Sequence, residues 1–111
     1  MTRGWPPEVP PPGAEDWQRR AVGWLLDQCP PDFRGYDVLR KHPAVLARFT
    51  AAHLEACEKS VQHGLATARH DLRAMGPSVV DDVIGVYETE LARLAKARVA
   101  TDAIARAFAQ A

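Results

Sequence analysis

Long apolar runs are missing from this chain. No stretch approaches the ~20 residues that a membrane-spanning helix needs, so no bilayer partner is expected. Its first residues, Met1-Thr2-Arg3-Gly4-Trp5-Pro6-Pro7, lack the apolar core of a secretion signal, which makes the cytoplasm the expected location. An excess of charge is missing too. Fourteen Lys and Arg balance fourteen Asp and Glu, for a formal net charge of +0. A dedicated nucleic-acid binder usually carries a basic excess, so this balance weighs against one. Cysteine is scarce. Cys29 and Cys57 are no disulfide framework and are expected as reduced thiols.

Recognisable chemistry is absent as well. The chain has no phosphate loop, no dinucleotide fingerprint and no Ser-His-Asp arrangement. Glu-x-x-His, the mark of di-metal carboxylate bundles, does not occur. His53 and Cys57 stand four apart and share one helix face. A metal site needs a third ligand, and the level opposite them on a folded-back helix holds Val99 and Ala100, which offer none. Cys57 reads as a small core residue, and Cys29 at a helix C-terminus gains nothing from a positive dipole end. The expectation is a non-enzyme without metal or cofactor.

What the chain does have is helical periodicity, in two long segments of matched length. Pro43 to Met75 contains no internal proline, and neither does Ser78 to Ala111. Met75-Gly76-Pro77-Ser78 separates them, so they are expected to fold back as an antiparallel hairpin roughly 50 Å long. A shorter helix is expected over about Glu15–Gln28, with Trp17, Ala21, Trp24 and Leu25 on its apolar face and Pro30-Pro31 ending it. The expected fold is therefore all-α: a long hairpin with a shorter N-terminal helix on its base, in effect a three-helix bundle over residues 15–111. Residues 1–14 form a Pro-rich arm that prefers polyproline II. A mobile tail is the plain reading of such an arm. Trp5 favours docking instead, against a partner or the chain's own bundle.

Two apolar stripes run along the first hairpin helix. One follows a heptad through Ala47, Leu54, Val61, Ala68 and Met75 and is assigned to the second hairpin helix. The other, Val45, Phe49, Ala52 and Ala56 with Leu46 at its edge, lies well over 90° away and is assigned to the N-terminal helix. Folding back about the turn places Leu65 near Tyr87 and Phe49 near Ile104. The second hairpin helix opens with Ser78 and Asp81 in capping-box spacing. Its stripe of Val80, Val83, Ile84, Tyr87, Leu91 and Leu94 rotates after Leu94 to Ala97, Thr101, Ile104 and Phe108. A rotating stripe means a changing partner. The short helix covers one half of the hairpin and leaves a bare two-helix tip. Val79, Val83, Val86 and Tyr87 are the expected partner or dimer surface, most simply a four-helix contact between two copies.

The linker at residues 30–42 interleaves aromatic and basic groups, and Asp37 is expected to cap a single helical turn through Lys41. Arg34, Tyr36, Arg40, Lys41 and His42 are candidates for an anion or nucleic-acid contact beside the N-terminus of the first hairpin helix. Asp27, Asp32 and Asp37 nearly balance them, which favours a structured linker.

Trp24-Leu25-Leu26-Asp27 and Pro30-Pro31-Asp32-Phe33-Arg34-Gly35-Tyr36-Asp37-Val38-Leu39-Arg40-Lys41-His42-Pro43 resemble a segment of short, uncharacterised helical proteins from high-GC bacteria. That resemblance implies no function. The expected function is a non-enzymatic interaction or assembly module, a homo-oligomer or small subunit of a larger complex. The alternative is a nucleic-acid or phosphate-binding accessory factor acting through residues 33–42.

Overall fold

The computed structural model describes residues 3–111 and is helical throughout its ordered elements. Met1 and Thr2, the first two residues of the arm, lie outside the described residues. Helix α1 spans Trp17–Asp27, α2 Asp37–Lys41, α3 Pro43–Asp71 and α4 Pro77–Gln110, with 3-10 turns at Pro31–Gly35 and Arg73–Met75. α3 and α4 pack along one another as the expected hairpin, and the molecule measures 52 × 31 × 17 Å.

Local chemistry sets the ends of these elements. Pro43 and Pro77 open α3 and α4, where the missing N–H is no loss and the fixed φ suits a helix. The chain leaves α3 at Asp71, and its last residues before the turn tighten into a 3-10 turn rather than continuing to Met75. Gly76 then takes a positive φ of 92°, which side chains with a Cβ rarely adopt. The expected Ser78–Asp81 capping box does not form. Gly76 is the cap residue and Ser78 is already inside the helix. Asp37 likewise is the first residue of α2 rather than its cap, and its carboxylate pairs with Arg40. α1 starts later than expected because Asp16 sits in the left-handed region at φ 63°.

The main core lies at the end of the hairpin where the arm and α1 meet the start of α3 and the C-terminal half of α4. Ala21, Leu25 and Leu26 of α1, Leu39 of α2, Leu46 and Ala47 of α3, and Ile104 of α4 are all buried together. Each fully buried Leu or Ile there contributes about 1.5–3 kcal/mol from apolar burial. Leu54, Leu94 and Ala97 continue the core a short way along the hairpin. Two buried hydroxyls, Thr50 and Thr101, donate to the carbonyls of Leu46 and Ala97 at 2.8 Å each, so neither is left unsatisfied.

The arm is not a mobile tail. Val9 is 4% exposed and belongs to the main core. The Trp5 ring meets Trp17 edge-on with centroids 5.9 Å apart, and its indole N–H donates to the Val9 carbonyl at 2.9 Å. Trp24 on α1 donates to Glu8 Oε2 at 3.0 Å, and Arg20 donates to the Glu8 carbonyl. Gly4 passes so close to α4 that a Cβ there would lie 2.4 Å from a Val99 methyl. The arm therefore docks on its own bundle. Proline rigidity helps, since a stiff segment loses little entropy on docking.

One assignment is overturned. Val45, Phe49, Ala52 and Ala56 are not covered by α1. All four are exposed, with Val45 at 37% and Phe49 at 48%. α1 instead takes the edge of that stripe, Leu46, together with Ala47 of the heptad stripe. Ile104 shares the main core with those two, and Phe49 lies outside it. The stripes are separated by enough of the α3 circumference that one short helix reaches only their near margins.

Candidate functional site

The tip forms where α3 and α4 pack without a third element. From Val61 to Leu91 only Ala68 and Val80 are buried. Leu65, Leu72, Val83, Ile84 and Tyr87 are half-buried across the seam. Tyr87 lies over Gly64 so closely that a Cβ on that glycine would meet the phenol ring at 2.6 Å. That contact agrees with the expected register of Leu65 near Tyr87. Arg69 of α3 and Asp81 of α4 pair across the outer tip at 3.4 Å. Nearer the base, Arg98 of α4 reaches Glu58 of α3 at 3.0 Å.

Of the four tip residues singled out, two face outward. Val79 is 40% exposed and Val86 67%, while Val83 and Tyr87 are partly withdrawn into the seam. Beside them runs an open groove floored by Val61, Gly85, Val86 and Tyr87, with Asp82 and Glu90 on its rim. Arg93 holds Glu90 in a two-point contact of 2.6 and 3.0 Å, and this keeps the carboxyl below its usual range. Asp82 has no such ion-pair partner among the described residues.

The basic linker comes together differently from its reading in the sequence. Arg34 is paired with Asp27, and Arg40 with Asp37, so two of its three permanent cations are neutralised locally. Tyr36 is exposed and tilts against Phe33, with centroids 6.2 Å apart. Lys41 and His42 are exposed at the start of α3, where the His42 carbonyl accepts the N–H groups of Val45 and Leu46. No convergent cradle of donors results.

A second surface was legible in the sequence only as a stripe with the wrong partner. Phe33 stands edge-on to Phe49 at 6.1 Å and tilts against His53 at 6.4 Å. Together with Arg48 and Ala52 these rings line an apolar groove on the outer face of α3. The sequence signal was the i, i+4, i+7, i+11 recurrence of Val45, Phe49, Ala52 and Ala56. Nothing in it distinguished cover from within the chain from exposure.

The remaining chemistry is modest. His53 Nε2 lies 3.5 Å from Cys57 Sγ. Among the described residues no three His, Cys, Asp or Glu side chains converge to hold a metal ion. Cys29 shares a 3.2 Å contact with the Thr50 hydroxyl, and burial pushes its thiol pKa up. A cleft of about 430 Å³ opens between the arm, α1 and α4, but Glu8 in its wall already accepts from Trp24, and Asp27 from Arg34. Among the described residues no helix is long and apolar enough to cross a membrane. No family model, curated protein or solved structure matches the chain.

Proposed function

We propose that this chain is a non-enzymatic helical assembly module of the cytoplasm, homo-oligomeric or a small subunit of a larger protein complex. In this reading the three-helix base carries the fold and the two-helix tip carries the contact. The supporting observation is the exposure of Val79 and Val86 beside the apolar groove over Val61, Gly85 and Tyr87. Two helices bury too little on their own to be robust in water, so a tip of this kind gains most from further cover. Scattered surface valines need no explanation, but valines at helical spacing flanking a groove form a face.

Multi-angle light scattering at high micromolar protein tests the self-assembling form. An oligomer is expected for the natural sequence. The Val83→Asp and Val86→Asp variants are expected to lose assembly with unchanged helicity by circular dichroism. A natural sequence that stays monomeric removes self-assembly. Nucleic-acid binding through Arg34, Tyr36, Arg40, Lys41 and His42 is the weaker reading, because Asp27 and Asp37 already occupy two of the cations. Salt-dependent binding lost on joint Arg40→Ala and Lys41→Ala substitution would reinstate it.

A further inference from the structure

We infer that two copies of this chain exchange arms, residues 5–9 of each docking on the base of the other. This goes beyond the tip contact proposed above, because it joins the molecules at the opposite end. The bed that receives the arm has a known occupant, since the chain's own arm fills it. Val9 enters the main core, Pro6 is buried, and the Trp5 ring meets Trp17 of α1. Trp24 and Arg20 of α1 both donate to Glu8, one to its carboxylate and one to its carbonyl. An aromatic-walled surface that holds a proline-rich strand is a recurring mode of peptide recognition. These contacts tie arm to base and none involves the link between them, so the arm of a second copy re-forms every one.

The link is where self-docking is unfavourable. Gly13-Ala14-Glu15-Asp16 joins arm to α1, and both of its end residues are left-handed, Gly13 at φ 91° and Asp16 at φ 63°. Glycine takes that conformation freely, whereas a residue with a Cβ is strained in it. Nothing local offsets the strain. Asp16 makes no capping hydrogen bond to α1, and α1 has no acidic residue in its first turn. The sequence favours the opposite arrangement, a helix that begins near Glu15 with both carboxylates at its positive end. Folding the arm back on its own base prevents this. In the exchanged form the link straightens, Glu15 and Asp16 join the first turn of α1, and the Asp16–Arg19 pair keeps its three-residue spacing. Local preference and arm docking conflict within one copy and agree between two.

Exchange replaces each contact with an identical one, so its balance rests on the link. A tethered arm competes with the second copy's arm at an effective concentration of about millimolar, and relief of Asp16 at about fivefold per copy brings the dissociation constant to roughly tens of micromolar. Two opened chains must meet, and Val9 in the core holds each one closed. Exchange is therefore slow in the folded protein and is set when chains fold together at high concentration. Freshly purified closed chains carry the tip contact alone.

The test uses the full chain carrying Val86→Asp, which removes the tip contact and leaves arm, link and base intact. Refolded from urea at high micromolar protein, it is expected to run as a dimer in sedimentation velocity, and as a monomer when refolded dilute. Adding Asp16→Gly relaxes the closed link and is expected to weaken the dimer about tenfold or more. Deleting Ala14 and Glu15 leaves the link too short to fold back and is expected to strengthen it by a similar factor, with helicity retained in both. Isotope-labelled and unlabelled chains refolded together should show, by filtered NMR, contacts from the Trp5 ring of one copy to Trp17 of the other. A monomer after concentrated refolding overturns exchange and leaves the tip contact to its own test on the freshly purified natural sequence. A dimer indifferent to both link variants, or one without the interchain Trp5–Trp17 contact, overturns it equally.

Discussion

The base and the tip are built from the same two helices, yet they differ in what covers them. At the base, α1, α2 and the arm close over α3 and α4, and Leu25, Leu39, Leu46 and Ile104 are fully buried. Toward the turn, the hairpin has only itself, and Ala68 and Val80 are the residues it buries. Stability in such a molecule is graded along its length. The lesson is that a continuous helix need not be uniformly stable, and that its thin end is where a partner has most to offer. The largest expected effect tests this gradient. Ile104→Ala should destabilise by about 3–4 kcal/mol in urea unfolding, as a fully buried aliphatic truncation does. Leu65→Ala at the tip should cost about 1–2 kcal/mol, because its side chain is only partly buried. Equal losses would mean that the tip is covered in solution, and dilution should then separate them.

The arm belongs to the base side of this contrast. Trp5→Ala removes an edge-on contact with Trp17 and the hydrogen bond to Val9. A loss of about 2 kcal/mol is expected, below the range for a fully buried Trp. Gly4→Ala should act through the same docking, since it combines a positive φ with a 2.4 Å approach to Val99. In hydrogen exchange, both substitutions should raise rates in the arm and α1 and leave residues 77–90 unchanged. An effect that spreads to the tip would show that base and tip open as one unit.

Much of this architecture was readable from period and punctuation. Pro43, Gly76 and Pro77 marked the hairpin, and after Leu94 the α4 stripe runs on through Ile104 and Ala107, which lie in the main core. The docking of the arm was readable only in part, through Trp5, because Val9 gives no periodic signal in a proline run. The capping box at Ser78 failed because Pro77 pre-empts the first helical position. The outer stripe failed for a different reason. Periodicity reports which residues share a face, and the face at Phe49 is as apolar as a buried one. Exposure follows from where a short helix can reach, and α1 reaches Leu46 and Ala47 before its length runs out. At the linker, sequence showed nearly balanced charge, whereas the particular pairs Arg34–Asp27 and Arg40–Asp37 depend on the turn at Pro31–Gly35.

Glycines offer a gentler probe of base against tip. An added Cβ meets nothing within 4 Å at Gly23 on α1 or at Gly85 on α4. Each substitution by Ala should stabilise by about 0.5–1 kcal/mol through helix propensity. If the two ends unfold together, both gains appear equally in the urea midpoint. If the tip opens first, the Gly85→Ala gain appears as slower exchange at residues 77–90 and is partly hidden in the midpoint. Gly64→Ala should gain nothing or lose slightly, because the Tyr87 ring must move aside, and the Tyr87→Ala background should restore the gain.

The smallest effect separates the ends by pH. Cys29 lies at the base, and burial is the main reason its thiol pKa is raised above its ordinary value; the Thr50 contact and Arg34 pull it partly back. A raised acid pKa means that the folded state holds the proton more tightly than the unfolded chain does. The unfolded chain ionises first, so this contribution is complete below about pH 9 and is lost as pH rises through the folded-state value. Urea midpoints should therefore fall above that pH in the natural sequence and fall less in Cys29→Ala. Thiol labelling of the folded protein should find Cys29 slower than a free peptide cysteine at pH 8, by the same linkage. Tip exchange rates should show no Cys29-dependent step in this window, since the group that titrates sits against α1 and α3 at the far end of the hairpin.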